Sequence, residues 1–88
     1  PLGDFDPELG AAWFIPREVI VKKTRKGKDF YIVRAIDDTS KASVIKVWGV
    51  DPRTDVIHTN RPYMARLDYS EQWGFSTRSV KYGWKLIG

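Results

Sequence analysis

Val21-Lys22-Lys23-Thr24-Arg25-Lys26-Gly27-Lys28-Asp29-Phe30-Tyr31-Ile32-Val33-Arg34-Ala35-Ile36-Asp37-Asp38-Thr39-Ser40-Lys41-Ala42-Ser43-Val44-Ile45-Lys46-Val47-Trp48-Gly49-Val50 is the stretch that decides the fold of this chain. Within it, Phe30, Ile32, Arg34 and Ile36 alternate with Tyr31, Val33 and Ala35, the period of two that puts successive side chains on opposite faces of a strand. A basic turn precedes that strand, with Gly27 free to take a positive φ. The polar turn at residues 37–41 follows it, and a further strand over residues 43–50 sets Val44, Lys46 and Trp48 opposite Ile45, Val47 and Gly49. The reading is a pair of long strands with a cationic tip and a mixed cationic and aromatic face.

Outward from this core the pattern stays extended. Val19, Ile20 and Val21 mark a first strand over residues 18–24, because β-branched residues suit the pleat. Tyr63, Ala65, Leu67 and Tyr69 alternate with Met64, Arg66 and Asp68 in a fourth strand. A fifth begins near Phe75, and residues 82–87 form a last extended piece. Residues 51–55 read as a turn or a single helical turn with Pro52 near its start. No long apolar stripe of helical period and no internal repeat occurs, so the expected class is all-β, a small barrel.

The chain has 88 residues, 42% hydrophobic and 30% charged, enough for one small core and one domain. Residues 1–16 are expected to be a connector whose apolar end, Ala11-Ala12-Trp13-Phe14-Ile15, docks onto a domain spanning residues 17–88. The chain does not begin with Met, which points to processing or excision from a longer protein, and Pro1-Leu2-Gly3 to a cloning remnant. No apolar run approaches the roughly 18 residues of a membrane span, and no signal-peptide pattern opens the chain, so a cytoplasmic location and no membrane partner are expected.

Cysteine is absent, which excludes disulfides, thiolate nucleophiles and cysteine-ligated zinc. His58 stands alone without a nucleophile or ligand spacing around it. Asp37-Asp38 opens a turn, where its carboxylates are better used for local hydrogen bonds than for acid-base work. No catalytic residue, metal site or cofactor is expected, and the chain reads as a binding domain rather than an enzyme.

Charge points to the partner. The formal net charge is +4, but Asp4, Asp6 and Glu8 lie in the first 16 residues, which hold no Lys or Arg. The remainder carries 15 basic against 8 acidic residues, +7. Five of the seven positions in residues 22–28 are cationic: Lys22, Lys23, Arg25, Lys26 and Lys28. Such a cluster neutralises phosphates, while Phe30 and Trp48 offer bases a flat surface to stack on. Arg34 shares their face and would be an awkward core residue without a partner. Trp73, in the polar turn before the fifth strand, is a second candidate platform. Tyr31, Tyr63, Tyr69, Tyr82 and Trp84 are assigned to core or rim packing.

Lys26-Gly27-Lys28-Asp29-Phe30-Tyr31-Ile32-Val33-Arg34-Ala35-Ile36-Asp37-Asp38-Thr39, with Ser43-Val44-Ile45-Lys46-Val47, resembles the first hairpin of the oligonucleotide/oligosaccharide-binding (OB) domain of bacterial DNA polymerase III alpha subunits. More distantly it resembles the anticodon-binding domain of class II aminoacyl-tRNA synthetases. The resemblance covers about a third of the chain. It has Ser40 where the family often has Gly, and leaves little room after the third strand for the helix usual in the fold. It implies a five-stranded OB-type Greek-key barrel whose outward face on the second and third strands, Phe30, Ile32, Arg34, Lys46 and Trp48, binds single-stranded DNA. On this reading the domain is an accessory part of a replication polypeptide. RNA or tRNA binding on the same fold, and a peptide-recognising barrel with an aromatic groove built from Trp48, Trp73 and neighbouring tyrosines, are the alternatives.

Overall fold

The structure, a computed structural model, describes residues 10–37, 42–72, 74–78 and 84–87. Trp73, Tyr82, Asp38 and most of the leader fall outside these residues. The described chain is all-β, without a helix, and hence with none long and apolar enough to cross a membrane. Seven strands form one curled, half-barrel sheet: β1 (Ala11–Lys23), β2 (Asp29–Ile36), β3 (Ala42–Val47), β4 (Tyr63–Arg66), β5 (Asp68–Ser70), β6 (Gly74–Thr77) and β7 (Lys85–Leu86). Their order across the sheet is β5-β6-β3-β2-β1-β4-β7.

The alternation in β2 is realised in three dimensions. Tyr31, Val33 and Ala35 are buried, and in β3 so are Ile45 and Val47, whereas Arg34 and Val44 are exposed. Val33, Ile45 and Val47 have no accessible surface, which at typical transfer energies stabilises the fold by about 1.5–3 kcal/mol per side chain. The turn joining β1 to β2 also follows its chemistry. Gly27 donates its N–H to the Thr24 carbonyl at 2.9 Å with φ at 80°, a tight turn closed by a residue in the left-handed region. Thr24 and Lys28 pair across it at 2.8 Å, and the Thr24 hydroxyl accepts the Lys28 N–H at 3.2 Å.

β1 departs from the sequence expectation. It runs unbroken from Ala11, so the apolar segment read as the docking end of a connector is the first half of a strand. The cause is a bulge: Pro16 pairs with Ala35 and Glu18 with Arg34, leaving Arg17 as an extra residue. Before the bulge Ala12, Phe14 and Pro16 are buried; after it the half-buried Val19 stands opposite the buried Val33, and Val21, opposite Tyr31 at the far end of the strand, is 51% exposed. The inward set changes from even to odd numbers, which divides the pattern in sequence. Pro16, lacking an N–H for the ladder, is tolerated at such a site.

The two halves of β1 serve two neighbours. Residues 15–23 pair with β2, while Ala11–Phe14 pairs with β4. β3 pairs with β2 on one side and, in parallel, with β6 on the other. The expected fourth strand is therefore two short ones, β4 beside β1 and β5 beside β6, separated by Leu67 alone. Leu67 is buried and donates its N–H to the Gly10 carbonyl at 2.8 Å. Seven strands thus stand where five were expected.

Residues 48–62 cross one end of the sheet without a helix. Asp51 accepts the N–H of Arg53 on its carboxylate at 3.0 Å and that of Asp55 on its carbonyl at 2.7 Å, while Asp55 returns its carboxylate to the Asp51 N–H at 2.8 Å. This reciprocal capping holds a single turn with Pro52 at its first position, as the sequence predicts. The Tyr31 hydroxyl reaches up from the core to donate to the Asp55 carbonyl at 2.6 Å. Burial, and then the nearby charge of Asp55, raises its pKa above the ordinary 10.0. Trp84 packs edge-on against Phe14 at 5.1 Å and Tyr63 at 5.6 Å between ring centroids. The core and rim assignment of Tyr31, Tyr63 and Trp84 therefore stands, whereas Tyr69 is 49% exposed.

Candidate nucleic-acid interface

Strand register decides which of the sequence candidates meet. On the outer face of the sheet, Lys22 of β1 lies opposite Phe30 of β2. Trp48, immediately after β3, continues the row: its ring sits 4.7 Å from that of Phe30, tilted by 34°. A second row runs Ile20, Ile32, Lys46, Ser76 and Asp68 across β1, β2, β3, β6 and β5. A third holds Glu18, Arg34 and Val44. Phe30, Ile32, Arg34, Lys46 and Trp48 thus share one face with Lys22, and alternation along the strands is the reason.

Trp48 is held in place from both sides. Its backbone N–H donates to the Thr77 carbonyl at 2.8 Å, and Gly49 follows with φ at 65°. A Cβ on Gly49 would lie 2.9 Å from the Arg78 carbonyl oxygen, so only glycine lets β6 approach this closely. The backbone at Trp48 is thus anchored, and its indole, 39% exposed, is backed by Phe30. A braced, exposed ring is what a stacking base requires.

The cations divide into groups. Arg25, Lys26 and Lys28 are exposed on the turn that extends beyond the Lys22–Phe30 row. Lys23 points away from Lys22 by alternation and forms a 2.9 Å salt bridge with Asp29, so it does not join the platform. Arg34 lies 3.4 Å from Glu18 with both side chains more than half exposed, a pair worth little in water and able to yield to a phosphate.

Beside this platform lies a cleft of about 430 Å³ lined by Lys46, Trp48, Asp68, Tyr69, Ser70 and Ser76. Four of these six come from β5 and β6, which the sequence reading did not connect with the site. Tyr69 was expected in the packing because it shares the phase of Tyr63, Ala65 and Leu67. The strand breaks at Leu67, and beyond the break the Tyr69 ring leans on Phe75 at 5.0 Å instead of entering the core. The sequence signal was the polar turn directly after it, Ser70-Glu71-Gln72, whose Ser70 hydroxyl accepts the Gln72 N–H at 3.2 Å. Trp73, the other aromatic expected here, lies outside the described residues.

A second cleft, of about 390 Å³, opens between residues 54–58, Tyr63, Trp84 and Leu86. His58 is at its rim, exposed, its backbone N–H donated to the Tyr63 hydroxyl at 2.9 Å. Among the described residues no three His, Asp or Glu side chains gather to hold a metal ion. No protein-family model, curated protein or solved structure matches the chain.

Proposed function

We propose that this chain is an OB-type barrel that holds single-stranded DNA with little sequence preference, as an accessory domain of a replicative DNA polymerase or related replication protein, and that it performs no chemistry of its own. The observation that carries the reading is the Phe30–Trp48 ring pair, 4.7 Å apart, set on a sheet face between Lys22, Lys46 and the cationic turn. Bases stack on the exposed indole, and the cations track the phosphates.

Topology supports the fold assignment. The order β4-β1-β2-β3 is that of a Greek key, in which a fourth strand returns beside the first. Taking β4 and β5 as one strand bent at Leu67, and β7 as an addition, leaves five strands. In OB folds the face of the second and third strands, with the turn between the first two, binds oligonucleotides.

The test is a titration of labelled single-stranded DNA and of matched RNA at two salt concentrations, with wild type and the Lys46→Ala/Trp48→Ala double variant, folding checked by circular dichroism. The expected result is tight, salt-sensitive DNA binding by wild type, with the logarithm of affinity falling by about 0.7 per phosphate contact for each decade of salt. The folded double variant should lose it. Equal or tighter RNA binding would move the partner to RNA, and wild-type failure on both at low salt would leave the Trp48–Tyr69 cleft as a peptide groove.

A further inference from the structure

The row Lys46, Ser76, Asp68 places a cation and a carboxylate two strands apart in the lining of the cleft, with the exposed ring of Trp48 on the same face. Two strand spacings separate Lys46 from Asp68, about 9.5 Å between their backbones. An exposed carboxylate on a face that gathers phosphates is unfavourable unless it receives hydrogen bonds from the ligand. In a nucleotide, the phosphate and the hydrogen-bonding edge of the base lie at opposite ends of the unit. One nucleotide therefore fits along the row, phosphate toward Lys46, ring against Trp48, base edge toward Asp68.

We infer that this cleft is a base-reading subsite in which Asp68 selects a base carrying an exocyclic amino group, guanine above all, over thymine. An ionised carboxylate only accepts hydrogen bonds, and its two oxygens match two parallel N–H donors. Guanine offers such a pair on its Watson–Crick edge, N1–H and the 2-amino group. Thymine offers a single N3–H flanked by two carbonyl oxygens, which repel the carboxylate. Cytosine and adenine fall between, each with one amino group beside a ring acceptor. The Ser70 and Ser76 hydroxyls, able to donate or accept, complete the lining without choosing a base.

This inference rests on the single-strand reading, and one experiment separates the two. Labelled thymidine strands of about 12 nucleotides, within the span of one such barrel, carry at their centre thymine, guanine or hypoxanthine, the last lacking the 2-amino group. The strand with one guanine should bind wild type about tenfold more tightly than the all-thymine strand, with hypoxanthine between. Asp68→Asn removes both a charge and the paired acceptor, so binding to the all-thymine strand should strengthen while the guanine-to-thymine ratio falls close to one. Asp68 is exposed on a short strand, so the variant should fold, which circular dichroism verifies. If wild type binds all three strands alike, or if Asp68→Asn keeps the ratio, the subsite is refuted and the single-strand reading survives. If wild type binds none of them at low salt, both fall.

Discussion

The two clefts are close in size, about 430 and 390 Å³, and nearly opposite in construction. The first rests on regular strands whose outward residues are Lys46, Trp48, Ser76 and Asp68, a mixture of charge, ring and hydroxyl that packing alone does not call for. The second is walled by a loop and by Tyr63 and Trp84, whose rings face Phe14 and the core. Volume therefore does not distinguish a site from a gap in packing, whereas the second task of each wall does. In the second cleft that task is stability; the walls of the first have the composition that the proposed ligand would need.

The largest effect should come from Phe14→Ala. Phe14 is fully buried and backs Trp84, so truncation should cost about 3–5 kcal/mol in urea unfolding. A loss below about 1 kcal/mol would break the assignment of the second cleft to packing. Next, Trp48→Ala alone should reduce single-strand affinity by about 10- to 100-fold, the usual worth of one stacked base, with unfolding midpoints nearly unchanged. His58→Ala, at the rim of the other cleft, should leave binding as it was; a comparable loss there would reverse the comparison.

The smallest effect sharpens the boundary between the two. Tyr31 lies beneath the platform on β2, and its hydroxyl holds Asp55 on the wall of the second cleft. Tyr31→Phe should cost about 0.5–1.5 kcal/mol without altering binding. Because the folded protein raises the phenol pKa above 10.0, the unfolded chain loses this proton first. Wild-type stability should then be full below about pH 10 and fall as pH climbs toward the folded value, a decline that Tyr31→Phe removes. Identical alkaline unfolding curves would show that this tyrosine does not carry the dependence.

What was legible in the sequence was whatever is local. The faces of β2 and β3 followed from alternation, and the gathering of Phe30, Ile32, Arg34, Lys46 and Trp48 followed from the faces. What escaped depended on register or on distant pairing. One extra residue at Arg17 reverses the phase of β1, so that its first half resembled a connector. Lys23 belongs to the cationic run in sequence yet turns to Asp29 because it stands one position from Lys22. Asp68, Tyr69 and Ser76 reach the site only because β6 runs parallel to β3 and brings β5 with it, a contact between segments some 30 residues apart that no short window displays.

Leu67 also sets a timetable for the molecule. The platform on β1, β2 and β3 is assembled from one run of chain with hairpin-like contacts, whereas the wall bearing Asp68 and Tyr69 joins it through the short parallel pairing of β6 with β3 and through Leu67, whose amide is held on Gly10. Amide protons in β5 and β6 should consequently exchange with solvent before those in β2, because the opening that frees them breaks few contacts. A ligand held between Lys46 and Asp68 should therefore slow exchange in β5 and β6 more than in β2, whose amides are already protected.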